Sequence, residues 1–232
     1  MVYWPFTTSL IGSMPRSEEL MEAREKQGES QQSKRNYQHI LKKETEKVVR
    51  FQEDLGLDFI VSGELDRNNY MSYVAQHVSG IELMTMEEIL EVTSSKDSFE
   101  ESLEKMNASG SDISNPVAVN KIDTEAVLDQ AEIAMVQAIT DKPIKATLPS
   151  PYLLTRSCWL EEITGKVYED RRSLGQDIVN LLINEIRRLA SMGVGMIQLD
   201  EPIFSEVVFT SSDNKDASFY CCLLYTSPSP RD

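Results

Sequence analysis

Apolar residues alternate along this chain between short β-like runs and longer stretches with helical spacing. The short runs, rich in Ile, Val and Leu, predict four strands, over residues 6–15, 57–65, 142–151 and 194–202. Helical spacing predicts four helices, over residues 16–29, 37–56, 123–141 and 171–193. This alternation is typical of an α/β fold with parallel strands and crossover helices.

Residues that start or stop helices set the predicted boundaries. Gly56 and Gly193 follow two of the helices, at the position where a left-handed backbone favours glycine. Asp123 or Thr124 is the predicted N-cap of the third helix. The apolar face predicted for the second helix consists of Ile40, Leu41, Val48, Phe51 and Leu55.

One polar stretch interrupts the alternation. Residues 67–84 predict a short helix and a connection, and residues 118–122 a short strand. Between them, residues 82–115 are dominated by Ser, Asp and Glu and predict an inserted excursion from the main fold.

Composition limits the possible partners. The 232 residues carry a formal net charge of -15, which argues against nucleic acid because phosphate binding needs an excess of Lys and Arg. No apolar run approaches the roughly 18 residues of a membrane span, so no membrane partner is expected. The three cysteines, Cys158, Cys221 and Cys222, fit a reducing compartment, and we expect a cytoplasmic protein.

Polar residues stand where each predicted strand ends, in "IGSMP", "SGELDRN", "LPSPYLL" and "LDEPIFSE". In a βα barrel these carboxyl ends surround the active site. The carboxylates of Glu64, Asp200 and Glu206 are therefore expected to converge, where they would suit a substrate ammonium group or another cation. Gly12 and Ser13 would add backbone and hydroxyl hydrogen bonds.

Simpler interpretations stay open for each of these stretches. Asp200-Glu201-Pro202 could begin a helix, with the aspartate as its cap. Glu64 could belong to a local ion pair with Arg67 on a solvated loop, and Gly12-Ser13 could form an ordinary turn.

Four stretches together carry a family resemblance over roughly residues 8–209. They are "SLIGSMPRS", "IVSGELDRNNYMSYVAQHVSGIEL", "DKPIKATLPSPYLL" and "GVGMIQLDEPIFSE". In this order they resemble the catalytic domain of cobalamin-independent methionine synthases and their short single-domain relatives. The resemblance implies a TIM-type (β/α)₈ barrel, of which residues 1–209 would form about the first four βα units.

The resemblance also implies a reaction and a set of contacts. The family transfers a methyl group from 5-methyltetrahydrofolate to the sulfur of homocysteine, which zinc holds as a thiolate. Carried over by position, Ile11, Gly12 and Ser13 would contact the amino-acid portion of homocysteine. Glu64 and Asp200 would bind its ammonium group, and Glu206 matches a position associated with the folate. No catalytic residue is assigned.

Two departures from the family pattern leave the function open. Cys158-Trp159 is displaced by two positions from the family's Cys-Trp pair, which weakens the case for folate binding through Trp159. The implied zinc ligands belong to later strands, so we expect no metal ligand in this chain and no activity from it alone. Alternatives are zinc-dependent alkyl transfer to another thiol, such as coenzyme M, and a non-catalytic barrel that binds amino acids.

Residues 210–232 predict an irregular tail without helical or strand periodicity. Its Ser/Pro-rich end, "LLYTSPSPRD", resembles translated adaptor sequence, so part of this tail is expected to be non-native.

Overall fold

The computed structural model of the protein describes residues 5–67, 72–92 and 115–202. Its helices are α1 (Glu18–Lys26), α2 (Gln31–Asp54), α3 (Ser72–His77), α4 (Met86–Val92), α5 (Gln130–Gln137), α6 (Pro151–Cys158), α7 (Glu161–Thr164) and α8 (Arg171–Ser191). Its strands are β1 (Ile81–Met84), β2 (Asn115–Ala118), β3 (Lys145–Pro149) and β4 (Met196–Asp200). Helices and strands share the described chain, so the α/β class is confirmed.

Helix ends follow local rules that the sequence carries. The side chains of Ser17 and Ser30 accept hydrogen bonds from the first turns of α1 and α2, and Asp170 forms a capping box with Ser173 at α8. Gly56 and Gly193 have φ angles of 73° and 83°, which confirms the predicted ends of α2 and α8. Glycine reaches these left-handed angles without a Cβ clash.

β3 and β4 confirm the predicted third and fourth strands and pair in parallel. Their register sets Lys145 beside Met196, Thr147 beside Gln198 and Pro149 beside Asp200. Parallel neighbours require a crossover connection, which here contains α6, α7 and α8.

The prediction of a second strand over residues 57–65 is wrong, because a side chain rather than a neighbouring strand forms hydrogen bonds with the backbone of this segment. Ile60 alone forms a parallel bridge with Ile144. The next residue, Val61, donates its N–H to Gln52 Oε1 at 2.9 Å and accepts from Gln52 Nε2 at 2.8 Å. Gln52 is fully buried in α2, so a side-chain amide replaces a strand partner at this point.

The first predicted strand, residues 6–15, is likewise not a strand in the described chain. Its backbone nevertheless lies beside residues 58–63, since the Thr8 carbonyl accepts from Phe59 N–H at 3.1 Å and Met14 N–H donates to the Gly63 carbonyl at 2.9 Å. Residues 6–15, residues 58–63, β3 and β4 therefore neighbour one another in space in chain order.

The predicted polar excursion begins and ends at a pair of antiparallel strands. β1 pairs with β2, with Ile81 beside Ala118 and Met84 beside Asn115. The short strand predicted over residues 118–122 was therefore placed too late. Residues 93–114, the middle of the excursion, lie outside the described residues.

The main apolar core lies between the parallel segments and the helices that cover them. α8 contributes a buried stripe, Leu174, Ile178, Leu181, Leu182 and Leu189. Two residues of the apolar face predicted for α2 are not buried: Phe51 and Leu55, near the end of the helix, are 50% and 57% exposed. None of the described helices combines the length and apolar character that a membrane crossing requires.

The third predicted helix, residues 123–141, is shorter than expected. α5 begins after Asp129, and neither Asp123 nor Thr124 caps it. The backbone N–H of Asp129 donates instead to Glu185 Oε1 of α8 at 2.8 Å. A tertiary hydrogen bond therefore lies where the sequence pattern predicted continuous helix.

Cys158 tests this packing directly, because it is fully buried at the end of α6 and burial raises the pKa of its thiol to about 12. A Cys221→Ser/Cys222→Ser variant leaves Cys158 as the one cysteine. At about pH 8 we expect Cys158 not to react with a thiol reagent until denaturant is added, because the thiolate is the reactive form. Rapid stoichiometric labelling of the native variant would contradict the fold.

The same thiol predicts a loss of stability in alkali. Its folded pKa lies above the unfolded value of about 8.5, so the folded state retains a proton that the unfolded state releases. Its contribution to the free energy of unfolding is therefore complete below about pH 8.5 and falls as the pH rises towards 12. Urea unfolding of the double variant across this range, compared with the same variant carrying Cys158→Ala, measures the difference.

Candidate functional site

Glu64 follows the segment 58–63 in a sharp backbone turn. Gly63 and Glu64 have φ angles of 81° and 54°, and a left-handed backbone is unfavourable for a residue with a side chain. Arg16 supports this turn, because its guanidinium donates to the carbonyls of Glu64 at 2.9 Å and Leu65 at 3.1 Å. Strain of this kind, held by surrounding contacts, is typical of functional sites.

Glu64 is buried, and its carboxylate has specific partners. Thr147 donates its hydroxyl to Glu64 Oε1 at 2.6 Å, and Ser13 donates to Glu64 Oε2. A Cβ atom added at Gly12 would lie 2.4 Å from Oε1, so only glycine permits this close approach. The structure thus brings together three of the six predicted site residues, Gly12, Ser13 and Glu64, and the relative exposure of Glu64 is 4%.

Asp200 ends β4 and is half-buried. Its side chain accepts a hydrogen bond from Gln198 Nε2 at 2.5 Å, and its backbone carbonyl accepts from Ser150 N–H at 2.9 Å. These contacts hold the end of β4 against the end of β3.

Lys145, which was not among the predicted site residues, lies close to both Glu64 and Asp200. It is buried on β3 and donates from Nζ to the Leu10 carbonyl at 2.5 Å and to Gln198 Oε1 at 2.8 Å. Burial lowers the pKa of Lys145, while the charges of Asp200 and Glu64 oppose that shift. Both carboxylates are therefore electrostatic neighbours of one buried ammonium group.

Arg67 is a second buried cation at this place, rather than part of a solvated ion pair. Its Nε donates to Glu132 Oε2 at 2.9 Å and its Nη2 to Glu132 Oε1 at 3.1 Å. Its Nη1 donates to the Thr147 carbonyl at 3.1 Å and lies 3.7 Å from Glu64 Oε1. The guanidinium also lies over the Tyr73 ring, 4.5 Å from its centroid.

Asp129 adds a buried carboxylate behind Arg67. Its Oδ1 lies 3.2 Å from Arg67 Nη2, and within the described residues neither of its carboxylate oxygens has a well-formed hydrogen bond. Burial raises the pKa of Asp129 well above its usual range, and the charge of Arg67 opposes that shift. The group behind Glu64 is therefore richer in carboxylates than in cations.

Glu201 has a different role from its neighbour Asp200. Its carboxylate accepts from the Ser150 hydroxyl and, at 3.2 Å, from Leu153 N–H in the first turn of α6. A carboxylate at a helix N-terminus is favourable because it pairs with otherwise unsatisfied N–H groups. Glu201 therefore fastens β4 to the start of α6. The alternative in which Asp200-Glu201-Pro202 begins a helix depends on residues after 202, which lie outside the described residues.

The remaining predicted site residues differ in placement. Ile11 adjoins Gly12, but its side chain is 81% exposed. Glu206 lies outside the described residues. A surface hollow of about 290 Å³ lies elsewhere, lined by His77, Val127, Leu128, Gln130, Ala131 and Ala134, and contains none of the six.

Lys145 and Thr147 could have been found from the sequence. They are the polar residues of "IKATL", in a run that otherwise reads as a strand buried on both faces. Gln198 gives the same signal in "MIQL" of the fourth strand. Arg67 gives no comparable signal, because its burial depends on contacts with distant segments.

In residues 5–67, 72–92 and 115–202, no group of three His, Cys, Asp or Glu side chains has the arrangement of a metal site. Glu132 already binds Arg67 through both carboxylate oxygens, and the described residues supply no set of ligands of the kind that zinc needs.

The chain matches one protein family over residues 5–222, described as the catalytic domain of cobalamin-independent synthase. A curated relative, the 5-methyltetrahydropteroyltriglutamate–homocysteine methyltransferase of Chelativorans sp. (strain BNC1), is 29% identical over 201 residues. The match covers 87% of this chain and 23% of that protein. The chain thus spans about a quarter of the length of the curated relatives it matches.

Solved structures share the fold. A B12-independent methionine synthase from Shewanella sp. W3-18-1, in complex with selenomethionine, is 20% identical with a TM-score of 0.55, over 75% of this chain and 45% of that one. A Listeria monocytogenes protein assigned as a vitamin-B12-independent methionine synthase is 20% identical with a TM-score of 0.64. That match covers 97% of this chain and 63% of the other.

Arg67→Met should destabilise the protein strongly, because it leaves Asp129 and Glu132 without their buried cation. Removing one partner of a buried ion pair costs about 3–5 kcal/mol in the free energy of unfolding. The matched control is Arg50→Met, which removes an exposed ion pair with Glu53 on α2 and should leave stability nearly unchanged. Urea unfolding measures both, and equal effects of the two substitutions would refute the buried network.

Proposed function

We propose, from the premise that the chain belongs to the family of cobalamin-independent synthase catalytic domains, that it supplies the amino-acid site of a homocysteine methyltransferase. Homocysteine would be the thiol acceptor and a methyltetrahydrofolate the methyl donor. The observation that supports the amino-acid site most directly is the buried Glu64 carboxylate between Gly12, Ser13 and Thr147.

The charges around Glu64 and Asp200 favour a cationic group on the ligand. Four buried or half-buried carboxylates, Glu64, Asp129, Glu132 and Asp200, interact with three cations, Arg67, Lys145 and Arg16. A ligand ammonium group beside Glu64 and Asp200 would reduce this excess, because a buried charge is costly unless it is paired.

The proposed reaction forms a sulfur–carbon bond and breaks the bond between the methyl carbon and the folate nitrogen. Proton transfer to that nitrogen helps it leave. The described residues would bind and orient the amino acid, with Glu64 and Asp200 accepting hydrogen bonds from its ammonium group. Ile11, Gly12 and Ser13 would contact the rest of the amino-acid portion, and Glu206 would approach the folate.

The position of the site agrees with a barrel of which this chain forms the first part. Residues 6–15, residues 58–63, β3 and β4 neighbour one another in chain order, as consecutive strands of a (β/α)₈ barrel do. Glu64 and Asp200 stand at the carboxyl ends of their segments, where barrel enzymes carry their active sites.

The same charge distribution disfavours coenzyme M as the acceptor. Coenzyme M carries a sulfonate and no amino group, so it would place a further negative charge beside buried carboxylates. Homocysteine has an ammonium group that such a site can pair.

Binding of L-homocysteine by the full chain tests the proposal, with 4-mercaptobutanoate as the analogue that lacks the amino group. We expect homocysteine to bind more tightly than the analogue. Glu64→Gln should weaken homocysteine about 10–100-fold and the analogue much less, since a hydrogen bond between charged groups is lost. Calorimetric titration under reducing conditions measures the dissociation constants.

The matched control is Glu22→Gln, the same chemical change at an exposed position of α1. It should bind both ligands as the unaltered chain does. Equal affinities of the unaltered chain for homocysteine and 4-mercaptobutanoate would refute the proposed ammonium site.

A further inference from the structure

We infer that Thr147 and Gln198 are positioning residues for the two proposed ammonium-binding carboxylates, an inference that rests on the proposed function. Thr147 orients Glu64, and Gln198 orients Asp200. Each neutral side chain is itself oriented by a buried cation, Arg67 for Thr147 and Lys145 for Gln198.

The first relay runs from Arg67 through Thr147 to Glu64. Arg67 Nη1 lies 3.2 Å from Thr147 Oγ1, and Thr147 Oγ1 lies 2.6 Å from Glu64 Oε1. A guanidinium can only donate hydrogen bonds, and a hydroxyl has one hydrogen to give. The hydroxyl oxygen therefore accepts from Arg67, and its hydrogen points to Glu64.

The second relay runs from Lys145 through Gln198 to Asp200. Lys145 Nζ lies 2.8 Å from Gln198 Oε1, and Gln198 Nε2 lies 2.5 Å from Asp200 Oδ1. An ammonium group also only donates, so the amide oxygen faces Lys145 and the amide nitrogen faces Asp200. The direction of the Gln198 amide is thus determined by its neighbours on both sides.

The two relays lie side by side on neighbouring strands. Thr147 and Gln198 are register partners in the β3–β4 pair. Lys145 precedes Thr147 by two residues on β3, and Asp200 follows Gln198 by two on β4, so each pair shares one face of its strand. One patch of parallel sheet therefore sets the hydrogen-bond direction at both carboxylates.

This arrangement directs the carboxylates towards a ligand at no cost in reorganisation on binding. A carboxylate has about four lone-pair sites, and Thr147 and Ser13 occupy one on each oxygen of Glu64. The sites left over then face fixed directions. Such preorganisation raises affinity because the ligand does not have to order the site.

The test compares variants that keep or remove the relay hydroxyl without changing side-chain volume greatly. Thr147→Val removes the hydroxyl, and Thr147→Ser keeps it. We expect Thr147→Val to weaken L-homocysteine about tenfold, the effect of one hydrogen bond to a charged group, and to change 4-mercaptobutanoate less than about twofold. Thr147→Ser should restore most of the affinity for homocysteine.

Gln198→Met is the corresponding change in the second relay and should produce the same selective loss. Thr155→Val is the matched control, because Thr155 donates its hydroxyl to the Pro151 carbonyl within α6. It should leave both affinities unchanged. Ligand-observed NMR on the full chain, carried to millimolar ligand, gives both dissociation constants, and thermal unfolding checks that each variant is folded.

Three results would overturn the inference while the proposed function stands. The first is that Thr147→Val binds homocysteine as tightly as the unaltered chain, and the second is that it loses equal affinity for homocysteine and 4-mercaptobutanoate. The third is that Thr147→Ser does not restore the affinity for homocysteine. Each result counts only if the unaltered chain prefers homocysteine. A chain that shows no such preference would overturn the proposed function and this inference together.

Discussion

The buried guanidinium of Arg67 connects parts of the chain that are far apart in sequence. It pairs with Glu132 and Asp129 at the start of α5 and donates to Thr147 on β3, while its own backbone belongs to the turn after Glu64. At 4% exposure it has lost most of its hydration, so these partners must satisfy its donors. A planar group with five donors can serve several acceptors at once, which a lysine could not do with the same geometry.

The region around Arg67 contains more carboxylates than cations, and this excess has an energetic consequence. Three acidic side chains would have neutralised Arg67, Lys145 and Arg16, yet Glu64, Asp129, Glu132 and Asp200 all lie in this region. Keeping acidic groups away from water destabilises the fold unless protons or cations compensate them. Stability sacrificed in this manner is typical of binding sites, where a ligand supplies the missing charge.

The backbone beside two proposed site carboxylates, Asp200 and Glu64, is held in two different ways. At β4, the adjacent Asp200 and Glu201 separate, with Asp200 beside Gln198 and Glu201 at the first turn of α6. After residues 58–63, the chain turns through left-handed Gly63 and Glu64. In both places the residue beside the carboxylate makes a contact of its own: Gly63 accepts from Met14 N–H, and the Glu201 side chain accepts from Leu153 N–H.

Local chemistry in the sequence determined the C-terminal ends of α2 and α8, the strands β3 and β4 and the α/β alternation. It also selected Gly12, Ser13, Glu64 and Asp200 as candidate site residues. These features follow from side-chain periodicity and from glycine's access to positive φ, which short windows of sequence contain. Tertiary structure alone decided that Gln52 replaces a strand partner at Val61, that α5 begins only after Asp129, and that Arg67 is buried rather than solvated. In each case a polar side chain met a partner outside its own element, nine residues away for Gln52, 56 for Glu185 and 65 for Arg67. Such a pairing depends on where the folded backbone brings the two together.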